Sequence, residues 1–202
     1  MNRIKKEIAN NYRIDARDFR NRFDHLWERE PHKTGRIKSF TDLLMAFECV
    51  LKSHAVLSHK SNNPVEVYNV VRKCSHDISK LCDLASYLDD AEIYKYISSE
   101  LSQFGVEIRY FMNSEASFFP FFEDWDNAPI NYNKTIGNHS WVMNLREVLD
   151  NLIDPLAEEF GGLCEDTIVE LLEHSEKMKK LYKDVGITFQ CRRQPGPGEF
   201  DQ

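Results

Sequence analysis

Two arginine–histidine pairs are the residues of this chain best suited to moving a proton beside an anion. The run Arg20-Asn21-Arg22-Phe23-Asp24-His25 supplies a guanidinium, a side-chain amide and an imidazole. Arg72 and His76 repeat the pairing four residues apart. A guanidinium stays charged and can hold an oxygen on which negative charge builds, while histidine titrates near neutrality and can take or give a proton. Helix geometry treats the two pairs differently. At ~100° per residue Arg20 and His25 stand about 140° apart, whereas Arg72 and His76 share a face if one helix carries both. The candidate catalytic residues are therefore Arg20, Asn21, His25, Arg72 and His76.

Other chemistries find less in the chain. Glu123, Asp124, Asp126 and His139 are donor types that a divalent metal accepts, but no recognised loop spacing joins them. There is no P-loop, no dinucleotide glycine fingerprint, no HExxH and no GxSxG, so neither metal nor cofactor is expected. His54 falls within the apolar face of Phe47, Val50, Leu51 and Leu57 and reads as a hydrogen-bonded core residue. Glu48 and Lys52 form an i,i+4 support pair. Cys49, Cys74, Cys82, Cys164 and Cys191 are an odd set without a CxxC and read as reduced, mostly buried thiols. A net charge of −7 argues against a general grip on nucleic-acid backbones, so RNA contact would require a local basic patch. No run approaches the ~18 apolar residues of a membrane span, and MNRIKKEIANNYRID lacks the apolar stretch of a secretory signal. A cytoplasmic protein with no membrane contact is the expectation.

The elements that must position these groups are almost all helical. Tyr12, Ala16, Phe19, Phe23, Leu26 and Trp27 recur at helical spacing and predict a helix over 12–29, followed by a loop over 30–38. Ser39 or Thr41 then caps a second helix running to about His59. Its segment LLMAFECVLKSHAVL is apolar nearly all round and belongs at the centre of a bundle. Asn63-Pro64 with Glu66 is a helix start, and the apolar series from Val67 to Leu88 keeps one face for about six turns, with the alternative of a break near Ser75, which could cap a second segment. Asp89-Asp90 opens a helix with Tyr94, Ile97, Leu101, Phe104, Ile108 and Phe111 on one stripe, and Gly105 beside it permits close approach of a neighbour. An aromatic-rich loop over 113–139, with Phe118, Phe119, Phe121, Phe122 and Trp125, is a binding surface, a dimer seam or, as the favoured reading, a cover over the core. Two more helices follow, one from Trp141 to Phe160 kinked at Pro155 and one from Leu163 to Tyr182, with Gly186 ending the order. The prediction is an all-α, up-and-down helical bundle as a single domain over 1–188, with a disordered tail over 189–202.

An apolar helix holding Ala46, Glu48, Leu51 and Lys52, a polar connection, and His76-Asp77 opening a helix that reaches Leu81 resembles the core of HEPN (higher eukaryotes and prokaryotes nucleotide-binding) domains. Ile108-Arg109-Tyr110-Phe111 is similar to the fourth-helix region of that superfamily. The resemblance is carried by residues 39–112 and extends through 183. It implies a helical bundle that forms a homodimer and works with a protein partner in toxin–antitoxin or antiviral defence assemblies. Active members are metal-independent endoribonucleases in which an arginine, a polar residue and a histidine act on the 2′-hydroxyl and phosphate of RNA. Arg20, Asn21 and His25 match that spacing but precede the core, where the family's motif follows it. The expected function is a non-catalytic interaction or regulatory module; the alternative is an endoribonuclease using an Arg/His pair.

Overall fold

Helix α1, Arg3–Arg29, and helix α2, Lys33–Ser58, are joined by only three residues and fold back on each other. The computed structural model describes residues 2–119, 128–160 and 167–187. Cross-helix partners show an antiparallel register along the whole hairpin. Lys5 Nζ donates to the His59 carbonyl, Ser53 Oγ to the Ala9 carbonyl at 2.8 Å, Arg22 pairs with Asp42 at 3.1 Å, and Arg36 lies 3.8 Å over the Trp27 ring. The partners' numbers add to between 62 and 64 at every step, so neither helix slips against the other over its length.

Six further helices complete the described chain: α3, Pro64–Lys73; α4, Ile78–Leu84; α5, Ala91–Leu101; α6, Phe111–Phe118; α7, His139–Phe160; and α8, Ile168–Asp184. No strand occurs among the described residues, and the protein is an all-α helical bundle. The chain divides into two compact units, Met1–Glu165 and Asp166–Gln202. Within the first, α2 packs against α1, α3, α4 and α7 and against a 3₁₀ turn at Val106–Arg109. A helix with neighbours on so many sides has no solvent face, and Phe40, Leu43, Phe47, Val50, Leu51 and Val56 are fully buried.

Several boundaries differ from the sequence reading. Helix α1 starts nine residues before Tyr12, because the Asn2 side chain accepts the Ile4 N–H at 2.9 Å and buried Ile4 and Ile8 extend the apolar stripe. The expected loop over 30–38 shrinks to 30–32. Gly35 lies inside α2, where an added Cβ would come within 2.5 Å of Glu30 Cβ, so a glycine is what lets the hairpin turn this tightly. Ser39 and Thr41 are helix-interior residues rather than caps, and their hydroxyls bond back to the Gly35 and Ile37 carbonyls, each at 3.0 Å. The stripe from Tyr94 to Phe111 is not one helix. Helix α5 ends at Leu101, Ile108 and Arg109 fall in the 3₁₀ turn, and Phe111 begins α6. Gly105 precedes that turn with φ −105°, and the atoms a Cβ there would meet belong to the movable carboxylate of exposed Glu107.

Asn63 and Asp90 cap α3 and α5 as expected, accepting the backbone N–H of Val65 at 3.1 Å and of Glu92 at 3.0 Å. Helix α7 runs through Pro155. Gly186 follows α8 with φ 74°, the left-handed conformation that ends helices. Phe121, Phe122, Glu123, Asp124, Trp125, Asp126 and the tail 189–202 lie outside the described residues.

His54 ties three helices together at the centre. Its Nε2 donates to the Leu152 carbonyl of α7 at 3.0 Å, which leaves Nδ1 to accept from the Tyr94 hydroxyl of α5 at 2.8 Å. Tyr94 in turn accepts the Leu88 N–H at 3.1 Å. Burial holds the imidazole neutral, with its pKa lowered to about 4 from an ordinary 6.5. The unfolded chain therefore binds a proton between those values that the folded one refuses. Stability from this group is intact above about pH 6.5 and is lost as the pH falls toward 4. Urea unfolding across that window is expected to lose up to about 3 kcal/mol from this source. His54→Gln, which keeps a donor for Leu152, should flatten that part of the slope; an unchanged slope would exclude His54 as its origin.

Candidate functional site

Helix α1 directs Arg20 toward α7. The guanidinium donates to Asp150 Oδ1 at 3.0 Å and holds the neighbouring Asn21 side chain at 3.1 Å. Asp150 also pairs with Arg146, whose fork grips Asp24 through Nε and Nη2 at 2.7 and 2.8 Å. Arg20, Asp150, Arg146 and Asp24 thus form one charge ladder between α1 and α7, in which each guanidinium is paired with carboxylate. Rotation along α1 carries His25 away from this ladder to an exposed position. The literal R-N-x3-H spacing is therefore split, with its arginine spent on structure and its histidine facing solvent.

The second pair is separated by a different device. Helix α3 stops at Lys73, and Ser75 adopts φ 52°, a left-handed conformation uncommon outside glycine. Asp77, not Ser75, caps α4 by accepting the Lys80 N–H at 3.1 Å. Arg72 and His76 consequently sit on either side of a break and do not share a helical face. Arg72 lies in the last turn of α3, while His76 turns back to α2.

There it meets a buried carboxylate. Glu48 is buried on α2, with its side chain 4% exposed, and each of its oxygens has a cationic or donor partner. Lys52 holds Oε1, and His76 Nδ1 stands 2.7 Å from Oε2. Because the carboxylate only accepts, Nδ1 carries the proton and Nε2 is directed outward on an imidazole that is 52% exposed. The sequence marks Glu48 and Lys52 as a pair and His76 as a candidate, but their union across 28 residues is a tertiary fact. The one available signal is a carboxylate within an otherwise apolar helix, since a buried charge requires partners.

Burial keeps the Cys49 and Cys82 thiols and the Tyr12 phenol protonated. Burial, reinforced by the charge of Glu48, pushes the Cys49 thiol up to about 12. Burial likewise raises the Tyr12 phenol, and it raises the Cys82 thiol to about 12. Only the thiolate is a nucleophile, so Cys49 and Cys82 are core residues rather than reactive ones. Among the described residues no group of three or more His, Cys, Asp or Glu side chains has the arrangement of a metal site. The cluster can orient an imidazole and neutralise a buried charge.

Removing one member of a buried ion pair strands the other, at a typical cost of about 3–5 kcal/mol. Lys52→Met should destabilise the fold on that scale. Lys95→Met, which breaks a pair exposed on both sides, should leave the unfolding midpoint nearly unchanged. Equal chemical-denaturation midpoints for the two variants would show that Glu48 does not need its lysine. Comparison with known proteins finds no match among family models, curated proteins or solved structures.

Proposed function

We propose that this protein is a non-catalytic, HEPN-like helical module that acts through protein contacts, as a homodimeric regulatory component of a defence or toxin–antitoxin type assembly. The observation that supports this reading is the separation of both Arg/His pairs. Arg20 is held by Asp150 and His25 faces away, while Ser75 breaks the helix between Arg72 and His76. A second feature points to protein partners. The first turns of α8 expose Ile168 at 77%, Val169 at 64%, Leu171 at 51% and Leu172 at 63%, a contiguous apolar surface of the kind that interfaces cover. Glu170, Glu173 and Glu176 lie in the same half of α8, and Lys177, Lys179, Lys180 and Lys183 in the other, so a second copy supplies the opposite charge when the helices meet antiparallel.

One contact favours the alternative, a metal-independent endoribonuclease. Glu48 fixes the His76 ring with Nε2 outward, which is the orientation a general base requires. Incubating the protein with tRNA and total RNA in EDTA separates the two readings. No cleavage is expected; cleavage abolished by His76→Ala and retained by His25→Ala would establish the ribonuclease instead. Self-association has its own test. Ile168→Glu with Leu172→Glu should convert a sedimenting dimer to monomer with little change in thermal unfolding, because both residues are exposed. A wild-type protein that sediments as a monomer at all concentrations would remove the homodimer.

A further inference from the structure

A cavity of about 150 Å³ opens beside the start of α2, lined by Lys33, Phe118, Phe119, Tyr132, Asn131 and Asn133 among others. Its walls are held in place from behind. The Ile130 N–H donates to the Ser117 carbonyl at 3.1 Å, fixing the 128–132 segment to the end of α6. Asn131 Oδ1 accepts the Lys134 N–H at 3.0 Å, which leaves its amide NH₂ as a donor. Tyr132 is seated by Gly137, where an added Cβ would lie 2.9 Å from the phenol ring, and the Gly137 N–H donates to the Tyr132 carbonyl at 2.8 Å. The glycine therefore lets the ring lie against the backbone and form one wall of the cavity.

The lining has a sign. The Lys33 ammonium stands 3.2 Å from the centroid of Phe119 and 5.8 Å from that of Tyr132. No carboxylate among the described residues pairs with it, and none is among the described residues lining the cavity. Ring faces offset a cation only in part, so Lys33 gives the described part of the lining a positive charge. A second cation entering here would meet repulsion from Lys33; an anion would meet Lys33 and the Asn131 amide. The rest of the lining is aromatic, with Phe118 and Tyr132 at 6.0 Å and Phe119 and Tyr132 at 5.2 Å between centroids. A cavity of about 150 Å³ is the size that holds a single six-membered ring.

We propose that this cavity is a binding site for a small single-ring aromatic carboxylate, its ring against Phe118 and Tyr132 and its carboxylate on Lys33. Nothing in the interaction-module reading requires such a site, and the two stand or fall separately. The ligand would sit between α2 and the 128–134 segment, the natural place for a small molecule to influence how α6 and its neighbours present themselves.

The test is titration of the full-length ¹⁵N-labelled protein with benzoate, followed by NMR. Saturable shifts are expected at Tyr132 and Asn131, at millimolar affinity as befits so small a ligand. Lys33→Gln should weaken binding at least about tenfold and Lys33→Arg should leave it within a few-fold, since the loss is one charge-assisted contact. Lys33 is exposed, so both variants are expected to fold. Cyclohexanecarboxylate, which has the charge without the planar ring, should bind more weakly, and benzylammonium should not bind. Absence of saturable shifts, an undiminished affinity in Lys33→Gln, equal binding of cyclohexanecarboxylate, or binding of benzylammonium would each overturn the assignment.

Discussion

The bundle depends on one neutral histidine. His54 is fully buried, and both ring nitrogens are committed, one to the backbone of α7 and one to the hydroxyl that steadies α5 and the turn before it. An apolar residue at this place would pack, but it would leave the Tyr94 hydroxyl without its acceptor and the Leu152 carbonyl without this donor. Hydrophobic burial is non-directional and says only that α5 and α7 should lie on α2. The imidazole adds the direction, because its two nitrogens fix where each neighbour must stop.

Charge is handled by the same economy. An acidic chain with a net charge of −7 keeps its buried carboxylates in company: Glu48 has Lys52 and His76, and Asp42 has Arg22. Burial still raises the Asp42 carboxyl, with Arg22 opposing it. Between α1 and α7 the acids and guanidiniums alternate, so the attraction that aligns those helices also uses up the cations that a polyanion would want.

Much of the architecture is legible because it is local. The all-round apolar character of residues 43–57 announces a central helix, and Asn63-Pro64 and Asp90 announce helix starts by chemistry contained within a few residues. Misreadings occur where a distant partner decides. Arg72 and His76 look continuous until Glu48, 28 residues earlier, draws His76 aside and Ser75 takes a left-handed conformation to allow it. Arg20 looks like a free cation until Asp150, 130 residues later, claims it. A stripe that keeps helical spacing from Tyr94 to Phe111 hides the chain's exit at Leu101, because the 3₁₀ turn returns Ile108 to the same core.

The hairpin of α1 and α2 also says something about order in time. Its partners are sequence neighbours across a three-residue link, so the longest interface in the molecule closes with little loop entropy to overcome. The contacts of His54 span 40 residues to Tyr94 and 98 to Leu152 and must wait for much larger loops to close. A nascent chain can therefore build its scaffold from the first 58 residues while the central imidazole still lacks both partners. Until the later helices arrive, that ring remains free to take a proton, and the completed bundle is what finally forbids it.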